Sequence, residues 1–159
     1  MRKIIFRGKQ LGSGEWVRGG ISPAYYAPGN PMAPEQAEGY SIIQYGRAYA
    51  VDQASIGQYT GKNDKNGAPI FEDDLVQAVC HTGELIRGRV RFGTHSPTMQ
   101  CDTCSVGWWI EWAGDEFLRK ELGFWQEKIT VVGPWADNDR IWDQWCEEAA
   151  AHERAQETM

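Results

Sequence analysis

Long apolar runs are missing from this chain. No stretch of consecutive apolar residues exceeds about four, far short of the roughly 20 that a membrane-spanning helix needs. The first residues are basic but enclose only Ile4-Ile5-Phe6 as an apolar segment, so no signal peptide is expected. Cysteine is sparse: with 4 in 159 residues and no export signal, the thiols are expected to be reduced, in a cytoplasmic protein. A basic excess is also absent. Lys and Arg number 16 against 22 Asp and Glu, a net charge of −6, and much of it gathers near the end (Asp139, Asp143, Glu147, Glu148, Glu153, Glu157). The chain as a whole is therefore a poor electrostatic match for bare nucleic acid. Histidine is limited to His81, His95 and His152, spread along the chain and outside any nucleophile motif. Gly57, Gly61 and Gly67 are spaced for turns, and no Gly-Lys-Ser/Thr phosphate loop follows them. Catalysis is not expected, and neither is a cofactor.

What the chain does have is aromatic mass. Eight Trp, six Tyr and five Phe within a 42% apolar composition supply a core built from few, large side chains, as a β-rich fold uses. The length predicts one domain, or one domain with an appendage.

Residues 4–7 and 15–19 read as the strands of a hairpin turning through Gly12-Ser13-Gly14. Residues 22–39 are rich in Pro, Gly and Ala and exclude regular structure in their middle. A strand follows from Tyr40 to Tyr45. From Gly57 the pattern is antiparallel β. Asp74 to Cys80 alternates around Leu75. Leu85 to Phe92 sets Ile86, Gly88, Val90 and Phe92 on one face and Arg87, Arg89 and Arg91 on the other. Trp108, Ile110 and Trp112 likewise share a face, with Trp109 and Glu111 opposite. A short helix is expected between residues 115 and 127, and a last strand from Lys128 to Val132. Asp137-Asn138-Asp139 offers a helix start, followed by Ile141, Trp142 and Trp145 at helical spacing, through which the tail should dock.

The most distinctive segment is Gly57-Gln-Tyr-Thr-Gly-Lys-Asn-Asp-Lys-Asn-Gly67, continuing to Glu72-Asp-Asp-Leu-Val76. Asn63, Asp64, Asn66 and Gly67 gather where the backbone must reverse. The segment resembles the "GQYTG-x-x-D-x-x-G" turn and "E-G-D-x-V" strand start of the YopX-like family, small proteins found mainly in phages and prophages. Arg2-Lys-Ile-Ile-Phe-Arg-Gly8 with Gly14-Glu-Trp-Val-Arg-Gly19, and Ile129-Thr-Val-Val-Gly133 with Asp137-Asn138, are similar to the family's opening and closing blocks. Asp73 departs from the pattern, standing where the family usually has Gly; Pro134-Trp135 replaces the commoner polar pair. The resemblance implies an SH3-like barrel and no established activity. Five short strands with one apolar face each point the same way.

The expected architecture is thus mostly β: an N-terminal β-hairpin arm with a Pro-rich loop (1–52), an SH3-like small barrel (53–136) and a C-terminal α-helix in the tail (137–159). The expected function is a non-catalytic interaction module that self-associates, aided by Tyr25, Tyr26 and Tyr49, and that binds an unidentified host or phage protein, with no membrane association.

Two alternatives have named residues. Arg87, Arg89 and Arg91, spaced about 7 Å apart along a strand, could follow a phosphate backbone while Trp109 stacks a base; cross-strand pairing with Glu111 or Glu84 is the simpler and favoured account. Cys101 and Cys104 have the two-residue spacer of a zinc-binding pair, with Cys80, His81 and His95 as candidates to complete four ligands. The same pair at a helix start would suggest redox chemistry, but it falls in a loop. Asp64, Glu72, Asp73 and Asp74 lack the spacing of a calcium loop and are read as turn and surface charge.

Overall fold

The structure, a computed structural model, describes residues 1–23, 26–27, 30–31, 39–97, 104–114 and 118–159. Cys101, Tyr25 and the middle of the Pro-rich segment lie outside them. The chain is mostly β, with antiparallel sheets and a C-terminal helix, as the sequence predicts. It forms two compact units, 1–61 and 62–159.

The first unit contains β1 (Phe6–Lys9), β2 (Trp16–Ser22), a two-residue ribbon of β3 (Tyr26–Ala27) and β4 (Asn30–Pro31), β5 (Tyr40–Gln44) and β6 (Arg47–Val51). A 3₁₀ turn (Gln53–Ser55) leads into β7 (Gly57–Asn63), within which the division between the units falls. The sheet order is β6-β5-β2-β1-β7. Its buried hydrophobic cluster is Val17, Ile42 and Val51, with Phe6, Ile21, Tyr40 and Tyr49 packed around it. Gly19 is required by crowding: a Cβ there would lie 1.9 Å from the Ile43 carbonyl oxygen.

In the second unit, β8 (Pro69–Phe71), β9 (Asp74–Val79), β10 (Leu85–His95) and β11 (Ser105–Trp112) precede a helical turn α1 (Leu122–Trp125), β12 (Thr130–Pro134) and the long helix α2 (Trp135–Glu157). The sheet order is β11-β10-β9-β12. The barrel-like closure implied by the resemblance takes the form of an open sheet, with β11 and β12 at its edges. Helical segments cover its two faces. On one, Val76, Ala78, Val90, Ile110 and Trp112 pack against Ile70, Leu122, Trp125 and Ile129. There the Arg119 carbonyl accepts from both indoles, Trp112 Nε1 at 3.0 Å and Trp125 Nε1 at 2.6 Å. On the other, Leu75 meets Trp142 and Trp145 of α2.

Two details of α2 differ from the sequence expectation. It begins at Trp135, but Asn138 leaves the helical region (φ −136°, ψ 26°) and its amide donates to the Pro134 carbonyl at 2.7 Å. The expected start thus marks the second, longer segment. Ile141 remains 37% exposed and only Trp142 and Trp145 are buried, because one 3.6-residue stripe reaches the sheet. Among the described residues no helix is long and apolar enough to cross a membrane.

Candidate functional site

Strand β10 carries the arginines on the face that α2 covers. Arg87 sets Nη1 2.8 Å from Glu148 Oε2 and its guanidinium 5.4 Å from the Trp145 ring centre. Arg89 places both Nε and Nη2 2.8 Å from Asp73 Oδ1 and lies 4.3 Å from the Trp135 ring centre. Its side chain is only 13% exposed. Arg91 reaches the same Asp73 oxygen at 3.3 Å and Glu111 Oε2 at 3.7 Å. Each guanidinium of the stripe therefore faces a carboxylate, and two of them also lie against tryptophans, which favours charge and ring together.

Asp73 sits in the left-handed region at φ 62°, which explains why glycine suits this position in the family pattern. Asp tolerates that conformation better than most residues, and here its carboxylate joins two arginines.

Trp109 lies directly opposite Arg91 in the β10–β11 register. Gly93 and Gly107 pair next to them, leaving no side chain between Trp109 and His95, whose rings stack at 5.8 Å and 16°. The structure thus brings Arg91 and Trp109 together and turns Arg87 and Arg89 toward α2. Cys104 is exposed; its proposed metal partner Cys101 is outside the described residues. Among the described residues no three His, Cys, Asp or Glu side chains converge as metal ligands.

The signature turn has a structural task. Asp64 Oδ1 accepts from the backbone N–H groups of Asn66 at 2.8 Å and Ala68 at 2.9 Å, and Oδ2 accepts from Val131 of β12 at 2.9 Å. Lys65 N–H donates to the Ile129 carbonyl at 3.2 Å. Burial pushes the Asp64 carboxyl up, but the Val131, Ala68 and Asn66 donors and the Lys65 charge outweigh it and hold the group below its ordinary value. Asp74, fully buried, accepts from Phe71 N–H at 2.7 Å. The carboxylates of the "D-x-x-G" and "E-G-D" blocks thus hold backbone in place.

Residues 32–142 match the profile of the family described as YopX protein. The chain belongs to the YopX family. No curated protein matches it. The YopX match spans the Asp64 turn, all of β10 and β11 and the start of α2; β1, β2 and most of α2 lie outside it.

One region escaped the sequence reading. β10 pairs with β9 only from Leu85 to Arg89, but with β11 from Gly88 to His95, so the end of the β10–β11 hairpin runs on past β9. Phe92, which alternation places on one face with Ile86, Gly88 and Val90, is 54% exposed there and Val106 72%. Phe92 packs on Trp108 with ring centres 4.8 Å apart. A groove of about 380 Å³ opens beside them, lined among others by His95, Val106, Trp108, Arg119, Glu121 and Phe124. His95 is 92% buried (8% exposed); its Nε2 and the Trp108 indole Nε1 are buried without a hydrogen-bond partner among the described residues. Alternation alone carried no signal of this: it predicts nearly equal strands over 74–80 and 85–92, whereas the 11-residue β10 outruns the 6-residue β9.

Proposed function

We propose that this YopX-family protein acts by binding another protein, without catalysis, and that the projecting end of the β10–β11 hairpin is its contact surface. The carrying observation is the adjacent Phe92 and Val106, exposed at 54% and 72% and set beside Trp108. Clustered exposed apolar side chains mark interaction sites, whereas scattered ones do not. A phage or prophage origin, a cytoplasmic location and self-association belong to the same proposal. The nucleic-acid reading draws on the adjacency of Arg91 and Trp109, with Lys120 Nζ 6.0 Å from the Trp109 ring centre. The carboxylates facing all three arginines make it the less favoured, since a phosphate backbone would have to displace them.

The test is capture of a tagged protein from cells of its native host, with and without nuclease, alongside the Phe92→Asp variant. The expected result is a protein partner that survives nuclease and disappears with Phe92→Asp. Partners lost to nuclease, or retained by Phe92→Asp, would refute the proposal.

A further inference from the structure

Strand edges present rows of N–H and C=O groups that must find partners or water. In the second unit's sheet, the β12 edge is capped by the signature turn: Asp64 takes the Val131 N–H and Lys65 donates to the Ile129 carbonyl. The far half of the β11 edge is capped as well, because Ile110 N–H donates to the Lys120 carbonyl at 2.7 Å and Trp109 bridges Glu121. The β10–β11 register runs without a slip from Gly88 and Trp112 to His95 and Ser105. Backbone groups alternate sides along such a strand, so the N–H groups of Trp108 and Val106 point outward, as that of Ile110 does. Neither has a hydrogen-bond partner on that side among the described residues.

The groove described above lies beside this stretch; its two charged lining residues, Arg119 and Glu121, pair with each other, and the unmatched charge beside it is that of Lys128, which lies outside the lining. Arg119 and Lys128 both lie against the Phe124 ring, at 4.7 Å and 3.5 Å from its centre. The Trp108 indole N–H is a donor only and needs an acceptor.

We propose that the Val106–Trp108 edge accepts an extended peptide from another protein as an added strand, and that an acidic side chain of that peptide enters the groove toward Arg119 and the Trp108 indole, with Lys128 beside the Phe124 ring adding its charge from outside the lining. Main-chain pairing supplies affinity in such strand addition, and the side-chain pocket selects the sequence. This inference rests on the protein-binding reading and specifies its partner class.

The experiment selects short random peptides displayed against the full-length chain. The enriched peptides are then synthesised, and their affinity and amide-exchange protection are measured. Val106→Pro deletes the outward N–H where an edge strand tolerates proline; Arg119→Glu reverses one groove charge; near-ultraviolet circular dichroism checks the fold of each. The expected peptides carry Asp or Glu, protect the Val106 and Trp108 amides, and bind at least about ten-fold more weakly to each folded variant. The proposal falls if no peptide is enriched, if enriched peptides lack acidic residues, or if they bind Val106→Pro unchanged. It also falls if that variant instead dissociates a dimer of the chain itself, which would assign the edge to a second copy. Failure here with Phe92→Asp still losing its cellular partner would leave the protein-binding reading standing; failure of both removes both.

Discussion

Replacing Asp64 by alanine tests whether the signature turn is a structural clamp. Its carboxylate accepts three backbone N–H bonds at 2.8, 2.9 and 2.9 Å. Bonds to a charged group contribute roughly 1.5–3 kcal/mol each where water cannot replace them. Asn66 is exposed and Ala68 half-buried, so water takes over much of their share, leaving about 0.5 kcal/mol for each. The Val131 N–H sits on the sheet edge under the turn, and its orphaning costs about 2 kcal/mol. The expected loss is about 3 kcal/mol, which lowers a urea midpoint by about 1.5 M at a slope of roughly 2 kcal/mol/M. Trp16 is the lone tryptophan of the first unit, so tryptophan emission during the titration follows the second. Asp64→Asn should lose less, since it keeps one oxygen acceptor but must turn an NH₂ toward the other donors. The folded carboxyl titrates below the ordinary 3.8, so its contribution is fully present above that pH. It is lost as the pH falls through the lower, folded value. The gap between wild type and Asp64→Ala should therefore hold constant down to about pH 4 and narrow below it. A midpoint shift under about 0.5 M, or a gap indifferent to acid, would refute the clamp.

At Asp73, glycine should be less damaging than alanine by about 1 kcal/mol in the same titration: both lose the two arginines, but only alanine keeps the left-handed strain. Gly88→Ala should cost about 3 kcal/mol, because its Cβ would meet Ile110 Cγ2 at 2.4 Å and the Glu111 carbonyl oxygen at 3.0 Å; an unchanged thermal midpoint would contradict that crowding. Near neutral pH, iodoacetamide should alkylate Cys80 well before Cys146. The Thr82 hydroxyl 2.7 Å from its sulfur pulls the Cys80 thiol down, whereas burial, then Glu111 and Asp143, push Cys146 up. Peptide mapping reads the order, and Thr82→Val should slow Cys80.

How much was legible follows from the reach of each interaction. The two faces of β10 are visible in its alternation, because a strand's side-chain period is local. What covers the arginine face is not, since Leu75 and Trp142 meet across most of the second unit. The Asp64 turn was recognisable from Asn, Asp and Gly alone, yet its third donor lies 67 residues away. The outward turn of Phe92 follows from unequal strand lengths, a property of neighbours. Cross-strand carboxylates for the arginine stripe were foreseen at Glu111, whereas Asp73 and Glu148 required the fold.

The order of the strands in this sheet also bears on synthesis. β12, made last among the strands, pairs with β9, and the Asp64 turn, made before β9, closes on β12. A ribosome must therefore complete the chain through Val131, and extrude it, before the turn can reach its third donor. Until then the nascent segment holds β9 with one side bare, so a chain stopped short of β12 would leave that side as a template for pairing with other molecules.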